Sequence, residues 1–335
     1  MLSFFKSNNP AVVVFYIIYL VLFRLIFFFT VPEVEFVFHY HEPLSSALFD
    51  FLKTNSLNFG ILSLSLGGVL CFMQALFINN IVNENKMLPK KNYMAGAVFI
   101  IFASFFKESL LLSPASIALT FLIICTARIF ALIRKEKAYG DIFDIGFLAA
   151  IATLFYFPSI IFIVFAYIGL ATVRPFKLRE WLGVLVGFLA PLFLTFTYYF
   201  WNNRSVEMFL ALANIHSEGW LLGINLSPKD KIEIAAITAC IATSLVLLPS
   251  ALYSSLIQVR KFSNTLILFI VLTAIAMLLQ QSIHLSHFIL FSLPLAIMVA
   301  MILMHIKRNW IPEVIHIILI LFVLSMQFLP LFKII

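Results

Sequence analysis

Residues 142–173 read IFDIGFLAAIATLFYFPSIIFIVFAYIGLATV and include a single charged side chain, that of Asp144. As one helix the stretch would be about 48 Å long, whereas the hydrocarbon core of a bilayer is about 30 Å thick. It therefore forms either one long tilted helix or two short helices that break at Phe157-Pro158-Ser159. Basic clusters at 134–137 and 174–179 flank it, and the positive-inside rule places both on the cytoplasmic side. The pattern predicts two short helices.

The composition of the whole chain indicates the same environment. Of its 335 residues, 63% are hydrophobic and 11% are charged, whereas a soluble domain averages about 45–50% apolar and about 25% charged residues. This excludes a cytosolic enzyme, a disordered or fibrous protein and a disulfide-stapled secreted domain. Cys71, Cys125 and Cys240 lie within apolar runs and form neither a zinc pattern nor a disulfide framework.

Charges, Asn and Pro cluster between apolar runs of roughly 20 residues, the length that a membrane-spanning helix needs. This predicts an all-α fold, a polytopic transmembrane helical bundle of about eleven spans. The approximate span cores are 11–31, 59–80, 93–112, 114–133, 142–157, 158–173, 182–200, 233–254, 263–282, 284–304 and 311–331. No repeat or soluble boundary interrupts them, so residues 1–335 are predicted to form a single integral membrane domain.

The basic residues predict the orientation. With the N-terminus in the cytoplasm, fifteen of the 22 Lys and Arg residues fall in cytoplasmic loops and six in external loops. This bias predicts a cytoplasmic N-terminus, and an odd number of spans places the C-terminus outside. The net charge of +7 does not indicate nucleic-acid binding, because the basic residues lie in short clusters between apolar runs.

Two predicted external loops, at about 32–58 and 201–231, are longer than turns. Because functional residues concentrate on loops held by a rigid scaffold, we expect any chemistry there. In both loops apolar residues recur at helical spacing, which predicts short amphipathic helices in the membrane interface. These residues are Leu44, Leu48, Phe51 and Leu52 in the first loop, and Met208, Phe209, Leu212 and Ile215 in the second. The alternative for the first loop is an ordinary solvated segment.

The first external loop is the most acidic stretch of the chain. Glu33, Glu35 and Glu42 are candidates for a general base, which needs only reach and a suitable pKa. His39, His41 and Glu42 supply two imidazoles and a carboxylate, which are ligands that a divalent metal ion accepts. The alternative is a polar loop without a metal.

Four basic or imidazole side chains are candidates for binding a phosphate. Arg24 lies within the first span, about 10 Å from its external end, so its side chain can extend outward to the acidic loop or a lipid phosphate. The position of Arg24 is equally compatible with an internal salt bridge between Arg24 and one of the loop glutamates. His284 and His287 are three residues apart and face one way if they share a helical turn, or they are simply a wet helix terminus. Arg204 lies in the second external loop.

The layout resembles the GT-C class of polytopic glycosyltransferases. A first span precedes an acidic external loop, Glu33 to Lys53, and many spans joined by short basic turns follow. Tyr139 to Leu148, continuing to Phe157-Pro158-Ser159, is similar to the paired short spans of that class. His287 to Leu295 is similar to its late span beside the lipid phosphate. The chain is also similar to polytopic bacterial inner-membrane proteins, including non-catalytic relatives of that fold.

The resemblance implies transfer of a sugar from a polyprenyl-phosphate-linked donor to an acceptor at the external face. It implies that Glu33, Glu35 or Glu42 is the catalytic base or a metal-linked acid. Arg24, Arg204, His284 and His287 would then hold the donor phosphate. The partners would be the lipid bilayer and a polyprenyl-phosphate lipid.

The second hypothesis is a transporter, a channel or an assembly subunit of a membrane complex, with membrane-protein partners and no chemistry. Transporters place ionisable residues near the bilayer midplane. Apart from Arg24 the predicted spans contain almost none at that depth, which favours an interfacial site over a translocation path.

Overall fold

A computed structural model describes residues 2–6, 9–27, 42–206, 227–253, 255–278, 285–308 and 310–329. Over these ranges the chain is helical and has no strand, which confirms the predicted all-α class. A single helical turn, Leu2–Phe5, comes before the longer helices. These are α1 Val13–Arg24, α2 Pro43–Asn55, α3 Phe59–Glu84, α4 Met94–Ala103, α5 Pro114–Ala131, α6 Tyr139–Phe155, α7 Phe162–Val173, α8 Leu178–Trp201, α9 Pro228–Leu252, α10 Ile257–Leu278, α11 Ser292–His305 and α12 Trp310–Phe328.

Within these ranges, seven helical segments are long and apolar enough to cross a membrane. They are Phe59–Glu84, Pro114–Arg134, Leu178–Trp201, Pro228–Leu252, Ile257–Leu278, Leu285–His305 and Trp310–Phe328. Their surfaces carry many exposed apolar side chains, which need lipid rather than water around them. The protein is therefore an integral, polytopic membrane protein that contacts lipid.

The span expected over 93–112 is not a continuous helix. α4 ends at Ala103, and the segment to Ser113 contains only a short 3-10 helix, Glu108–Leu110. Every residue of α4 is buried, as expected for a helix that is apolar on all sides. Irregular backbone is tolerated at membrane depth where protein surrounds it, and Ser104, Ser109 and Leu110 are buried.

The stretch 142–173 contains two helices, as predicted. α6 ends at Phe155, Tyr156 is extended with φ −149° and ψ 99°, and a 3-10 helix, Phe157–Ile161, leads into α7. Arg174 follows α7 and donates to the carbonyl oxygens of Lys135 and Glu136, at 3.1 and 2.6 Å, which precede α6. The chain therefore reverses at Pro158 and α7 returns along α6.

Two glycines let α6 and α8 pack backbone to backbone. A Cβ added to Gly146 would overlap the carbonyl oxygen of Val184, and one added to Gly187 would overlap that of Phe143. Small residues at facing positions are the usual way for membrane helices to approach closely. This contact holds α6, and with it the reversal at Tyr156, in a fixed position.

The loops that carry most of the basic clusters meet at one end of the bundle. Arg134 donates to the carbonyl oxygen of Glu84 at 3.2 Å, which joins the ends of α3 and α5. Arg174 joins the end of α7 to the start of α6 through the bonds given above. We call this end the basic end. It comprises residues 84–93, 131–139, 173–180, 251–253, 255–260 and 304–308.

The other end of the bundle is formed by the alternate loops. The ring of Phe106, between α4 and α5, packs on Phe288 with ring centroids 5.2 Å apart. Phe288 lies in a 3-10 helix, Leu285–Phe291, that leads into α11. Because Glu42, Glu108 and Glu233 also lie here, we call this the acidic end. It comprises residues 24–27, 42–59, 104–113, 155–161, 201–206, 227–233 and 285–291.

α2 occupies the position of the first predicted amphipathic helix, but its buried face differs from the prediction. Pro43, Ser45 and Phe49 are buried, whereas Phe51 is 64% exposed. The pattern assigned Phe51 to the apolar face but could not show that Phe49 packs on the protein, where its ring meets Phe59 of α3 at 6.2 Å. The second predicted amphipathic helix, 208–215, lies outside the described residues.

Candidate functional site

Glu42 directly precedes α2 and is fixed by two neutral donors. Ser45 Oγ donates to Glu42 Oε2 at 3.1 Å, and the backbone N–H of Phe157 donates to Glu42 Oε1 at 3.3 Å. Pro43 occupies the first turn of α2, whose N-terminus favours a negative charge. The sequence-predicted base is thus positioned at the chain reversal between α6 and α7.

Tyr156 connects Glu42 with His287. Its ring is 2% exposed and stacks on the His287 imidazole, with centroids 5.2 Å apart and an interplanar angle of 27°. It also interacts electrostatically with Glu42. The structure therefore brings two sequence-predicted residues, Glu42 and His287, to one place. We call Glu42, Tyr156, Phe157 and His287 the Glu42 site.

His287 lies in the 3-10 helix Leu285–Phe291 rather than in the α-helical turn that the histidine spacing suggested. Five predicted site residues lie outside the described residues: Glu33, Glu35, His39, His41 and His284. The metal set of His39, His41 and Glu42 therefore stays a prediction. In the part of the chain that the structure describes, no group of three His, Cys, Asp or Glu side chains is placed to hold a metal ion.

Arg24 turns into the protein instead of extending outward. It is 8% exposed, and its Nη2 donates to the carbonyl oxygen of Leu110 at 3.2 Å. Gly68 of α3 leaves room for it, since a Cβ there would lie 3.2 Å from Arg24 Nε. Cys71 of α3 lies beside the guanidinium and interacts with it. A guanidinium carries five N–H donors, so these contacts leave donors with which Arg24 can bind an anion.

Arg24 therefore packs against α3 and Leu110 rather than extending to the acidic loop. Its role in binding a lipid phosphate stays a prediction. The alternative prediction was a salt bridge between Arg24 and a glutamate of the first external loop. Of these glutamates, Glu33 and Glu35 lie outside the described residues. Arg204 is exposed just beyond α8, with its guanidinium 5.9 Å from the Tyr199 ring centroid. These contacts place Arg204 at the acidic end but do not bring it to Glu42.

A second acidic cluster joins the α4–α5 segment to α9. Glu233 is 0% exposed, and Lys229 Nζ lies 3.4 Å from its Oε1. Both Glu233 oxygens and Glu108 Oε2 have no hydrogen-bond partner among the described residues. Glu108 and Glu233 also repel each other electrostatically. We call Lys107, Glu108, Lys229 and Glu233 the Glu108 cluster.

Burial raises the pKa of Glu108 above its usual value, although Lys229 and Lys107 act in the opposite direction. A carboxyl group with this surrounding is protonated more readily than one in water. The packing of Phe106 on Phe288 places the segments that carry Glu108 and His287 in direct contact. The Glu108 cluster and the Glu42 site therefore share the acidic end.

Sequence reasoning missed Tyr156, Glu108 and Glu233. The pair Lys107-Glu108 interrupts the apolar run between 93 and 133, and Lys229 stands four residues before Glu233. Those spacings were available signals. Nothing in the sequence shows that residues 108 and 233 meet, or that Tyr156 stacks on an imidazole.

Charged residues at the basic end are arranged differently. Asp141 lies 2.9 Å from Arg128 Nη1 and 2.6 Å from Lys135 Nζ. Burial raises the pKa of Asp141, but Lys135 and Arg128 together lower it more, so the net shift is downward. Arg174 and Glu180 form a further pair at 3.4 Å. These opposite charges neutralise one another, so we assign them a structural role rather than a chemical one.

The model of a protein family of unknown function, DUF6427, matches residues 43–335. No curated protein and no solved structure matches the chain. The matched range includes Glu42's neighbours on α2, Tyr156, the Glu108 cluster and His287, and it begins one residue after Glu42. The family description itself carries no activity.

Proposed function

The chain belongs to the family of unknown function DUF6427, and we propose that it transfers a sugar within the membrane. The donor is a sugar linked to polyprenyl phosphate, and the acceptor is a hydroxyl at the external face. The observation that carries this proposal is the fixed Glu42 carboxylate beside the Tyr156–His287 stack. It supports the proposal because the candidate base and the imidazole both lie against the Tyr156-Phe157 segment.

The proposal includes a topology. The protein lies in a bacterial inner membrane and crosses it about eleven times, counting the shorter apolar helices as spans. The basic end faces the cytoplasm, as does the N-terminus, and the acidic end and the C-terminus face outside. In this topology α2 lies in the interface on the external side of the inner membrane, with Phe51 directed to lipid.

Glu42 acts as the general base in this proposal. The acceptor hydroxyl gives its proton to Glu42, and its oxygen forms a bond to the anomeric carbon. The bond from that carbon to the phosphate oxygen breaks, so polyprenyl phosphate leaves. Because Phe157 N–H and Ser45 Oγ already bind the carboxylate, it need not reorient during the reaction.

The donor phosphate is held by basic and imidazole groups of the acidic end. His287 and Arg24 lie there among the described residues, and His284 and Arg204 complete the predicted set. Charge stabilisation of the departing phosphate supplies much of the rate in such sites. A divalent ion on His39, His41 and Glu42 is an optional addition, and no step depends on it.

The test compares carboxylates in cells that carry only the variant chain. We expect Glu42→Gln to slow sugar transfer by about 10²-fold or more, the usual contribution of a general base. Polyprenyl-linked sugars then accumulate, which mass spectrometry of lipid extracts measures. Asp50→Asn is the matched control, because Asp50 is exposed on α2. Wild-type lipid profiles for Glu33→Gln, Glu35→Gln and Glu42→Gln would remove the loop carboxylate as the base.

A second candidate is a non-catalytic role as an assembly subunit or transporter. The observation that favours an assembly subunit is the exposed apolar surface of α8, which includes Phe193, Leu194 and Tyr198. That surface can contact another membrane protein as well as lipid. Under this alternative all three glutamine variants stay functional. A stoichiometric partner co-purifies with the chain and is lost when Phe193→Ala is introduced.

A further inference from the structure

A cavity opens at the basic end, far from the acidic end described above. Its volume is about 470 Å³, and it lies between the α3–α4 loop, the α9–α10 loop and the end of α11. Its buried lining is apolar: Met87, Leu88, Val259 and Met301. Unbranched methionine side chains adapt to irregular apolar ligands such as acyl chains.

The rim of this cavity is cationic. Lys86 and His305 line it and are exposed, whereas none of its described lining residues is acidic. Lys90 and Lys91 follow in the same loop but do not line the cavity. An apolar lining beneath a cationic rim fits an amphiphile with a negative headgroup. Basic pockets between helices on the cytoplasmic side are typical sites for anionic lipid headgroups.

Lys86 has an unusual backbone conformation for its residue type. Its φ is +50°, in the left-handed region that favours glycine. The position follows the α3 C-cap at Asn85, where glycine is the ordinary choice. A lysine here accepts a conformational cost that glycine would avoid, and the cost is understandable if its ammonium group binds something.

Exposed aromatic residues mark the level of the cavity in the membrane. Tyr253, next to the α9–α10 loop, is 86% exposed, and Trp310 at the start of α12 is 61% exposed. Tyr and Trp concentrate where the bilayer meets water. The cavity therefore lies at headgroup depth, where a phospholipid can insert one acyl chain and leave its phosphate at the rim.

We propose that this cavity is a binding site for an anionic phospholipid, with the phosphate on Lys86 and an acyl chain over Met87, Val259 and Met301. The proposal does not depend on sugar transfer at the acidic end. It predicts a headgroup preference and a requirement for free cavity volume.

The test uses the full chain, delipidated in detergent and mixed with equal amounts of phosphatidylglycerol and phosphatidylethanolamine that carry the same acyl chains. Native mass spectrometry then counts the lipid retained. We expect about fivefold more phosphatidylglycerol, because Lys86 binds the phosphate of both lipids but repels the ammonium group that only phosphatidylethanolamine carries. Lys86→Gly should abolish the preference while the melting temperature stays equal or rises, because glycine suits the backbone. Lys90→Ala is the matched control and should keep the preference.

Ser255→Phe tests the acyl chain separately, since Ser255 lines the cavity from a partly exposed loop. The added ring should occupy part of the cavity, obstruct the acyl chain and lower retention of both lipids by about tenfold. Equal retention of the two lipids by the unmodified chain would overturn the proposal. So would an unchanged preference in Lys86→Gly, or full retention in Ser255→Phe.

Discussion

The carboxylates at the two ends of the bundle differ in their partners and in their burial. At the basic end Asp141 has two cationic partners within 3 Å, and Glu180 pairs with Arg174. At the acidic end Ser45 Oγ and the Phe157 N–H donate to Glu42, and Glu233 is fully buried with Lys229 at 3.4 Å. The pKa of Asp141 is lowered, whereas that of Glu108 is raised.

The difference separates structural charges from candidates for function. Asp141 and even the buried Glu180 have a cationic partner at the basic end. Such pairs fix loop geometry, and those exposed to solvent contribute little stability each. Buried carboxylates without matching donors are costly, and such groups concentrate at functional sites. The acidic end therefore carries the candidate chemistry, and the basic end anchors the protein and, by our inference, a lipid.

The largest expected effect comes from breaking the helix contact that links the two ends. α6 begins beside Asp141 and ends beside Tyr156, and Gly146 lets it approach Val184 of α8. Gly146→Leu should lower the free energy of unfolding by about 3 kcal/mol, because the side chain has no space against the backbone. Thermal unfolding in detergent measures the loss.

Gly140→Ala is the control for that helix, since nothing lies within 4 Å of an added Cβ there. Its melting temperature should equal or exceed that of the unmodified protein. Equal stability of both glycine variants would contradict the close packing of α6 on α8.

The next effect concerns the Tyr156–His287 stack. His287→Ala should weaken binding of a long-chain polyprenyl phosphate by about tenfold, the loss of one charge-assisted hydrogen bond. Affinity for the corresponding polyprenol, which lacks the phosphate, should not change. Titration of the protein in nanodiscs measures both. Glu180→Gln at the basic end is the control, and a larger loss there would reverse the comparison.

We expect the contribution of Glu108 to the stability of the protein to fall as the pH rises. Its pKa is raised in the folded state, so its favourable contribution is complete below its unfolded value and is lost as the pH passes the folded value. Glu108→Gln should therefore raise the free energy of unfolding by about 1 kcal/mol at pH 8 and by nothing at pH 4. If Glu108→Gln changed the free energy of unfolding by the same amount at both pH values, a raised pKa of Glu108 would be excluded.

We expect the contribution of Asp141 to stability to have the opposite pH dependence and to be smaller. Its pKa is lowered in the folded state, so its contribution is present above the unfolded value and lost as the pH falls through the folded value. Asp141→Asn should cost about 0.5 kcal/mol at pH 7, because Arg128 and Lys135 are each more than 40% exposed. The cost should vanish in strong acid. Melting temperatures across the pH range check it, and matching slopes for the two variants would remove the distinction between the ends.

Local signals in the sequence were enough for much of the fold. The reversal at Pro158 follows from one proline and two basic clusters, all between residues 134 and 179, and the helical class follows from composition. The length of α4 was not predictable, because Ser104 to Leu112 is apolar enough for a helix but packs irregularly against α3 and the segment before α11. The buried direction of Arg24 depends on Gly68 and Leu110, which are distant in sequence.

The candidate site divides in the same way. Glu42 and His287 were predicted from their residue types and loop positions, and their approach is visible in the structure through Tyr156. The electrostatic interaction of Glu108 with Glu233 was not predicted, since the proximity of remote segments leaves no periodicity in a single sequence.

The most direct test of the central claim locates a bound polyprenyl phosphate. A photoactivatable analogue with its reactive group beside the phosphate is cross-linked to the unmodified protein in nanodiscs, and peptides are mapped by mass spectrometry. We predict adducts in 42–49, 156–161 and 285–291, with excess unlabelled polyprenyl phosphate suppressing them. Adducts confined to 84–93 and 251–260, or adducts that the competitor does not suppress, would contradict a lipid-phosphate site at the acidic end.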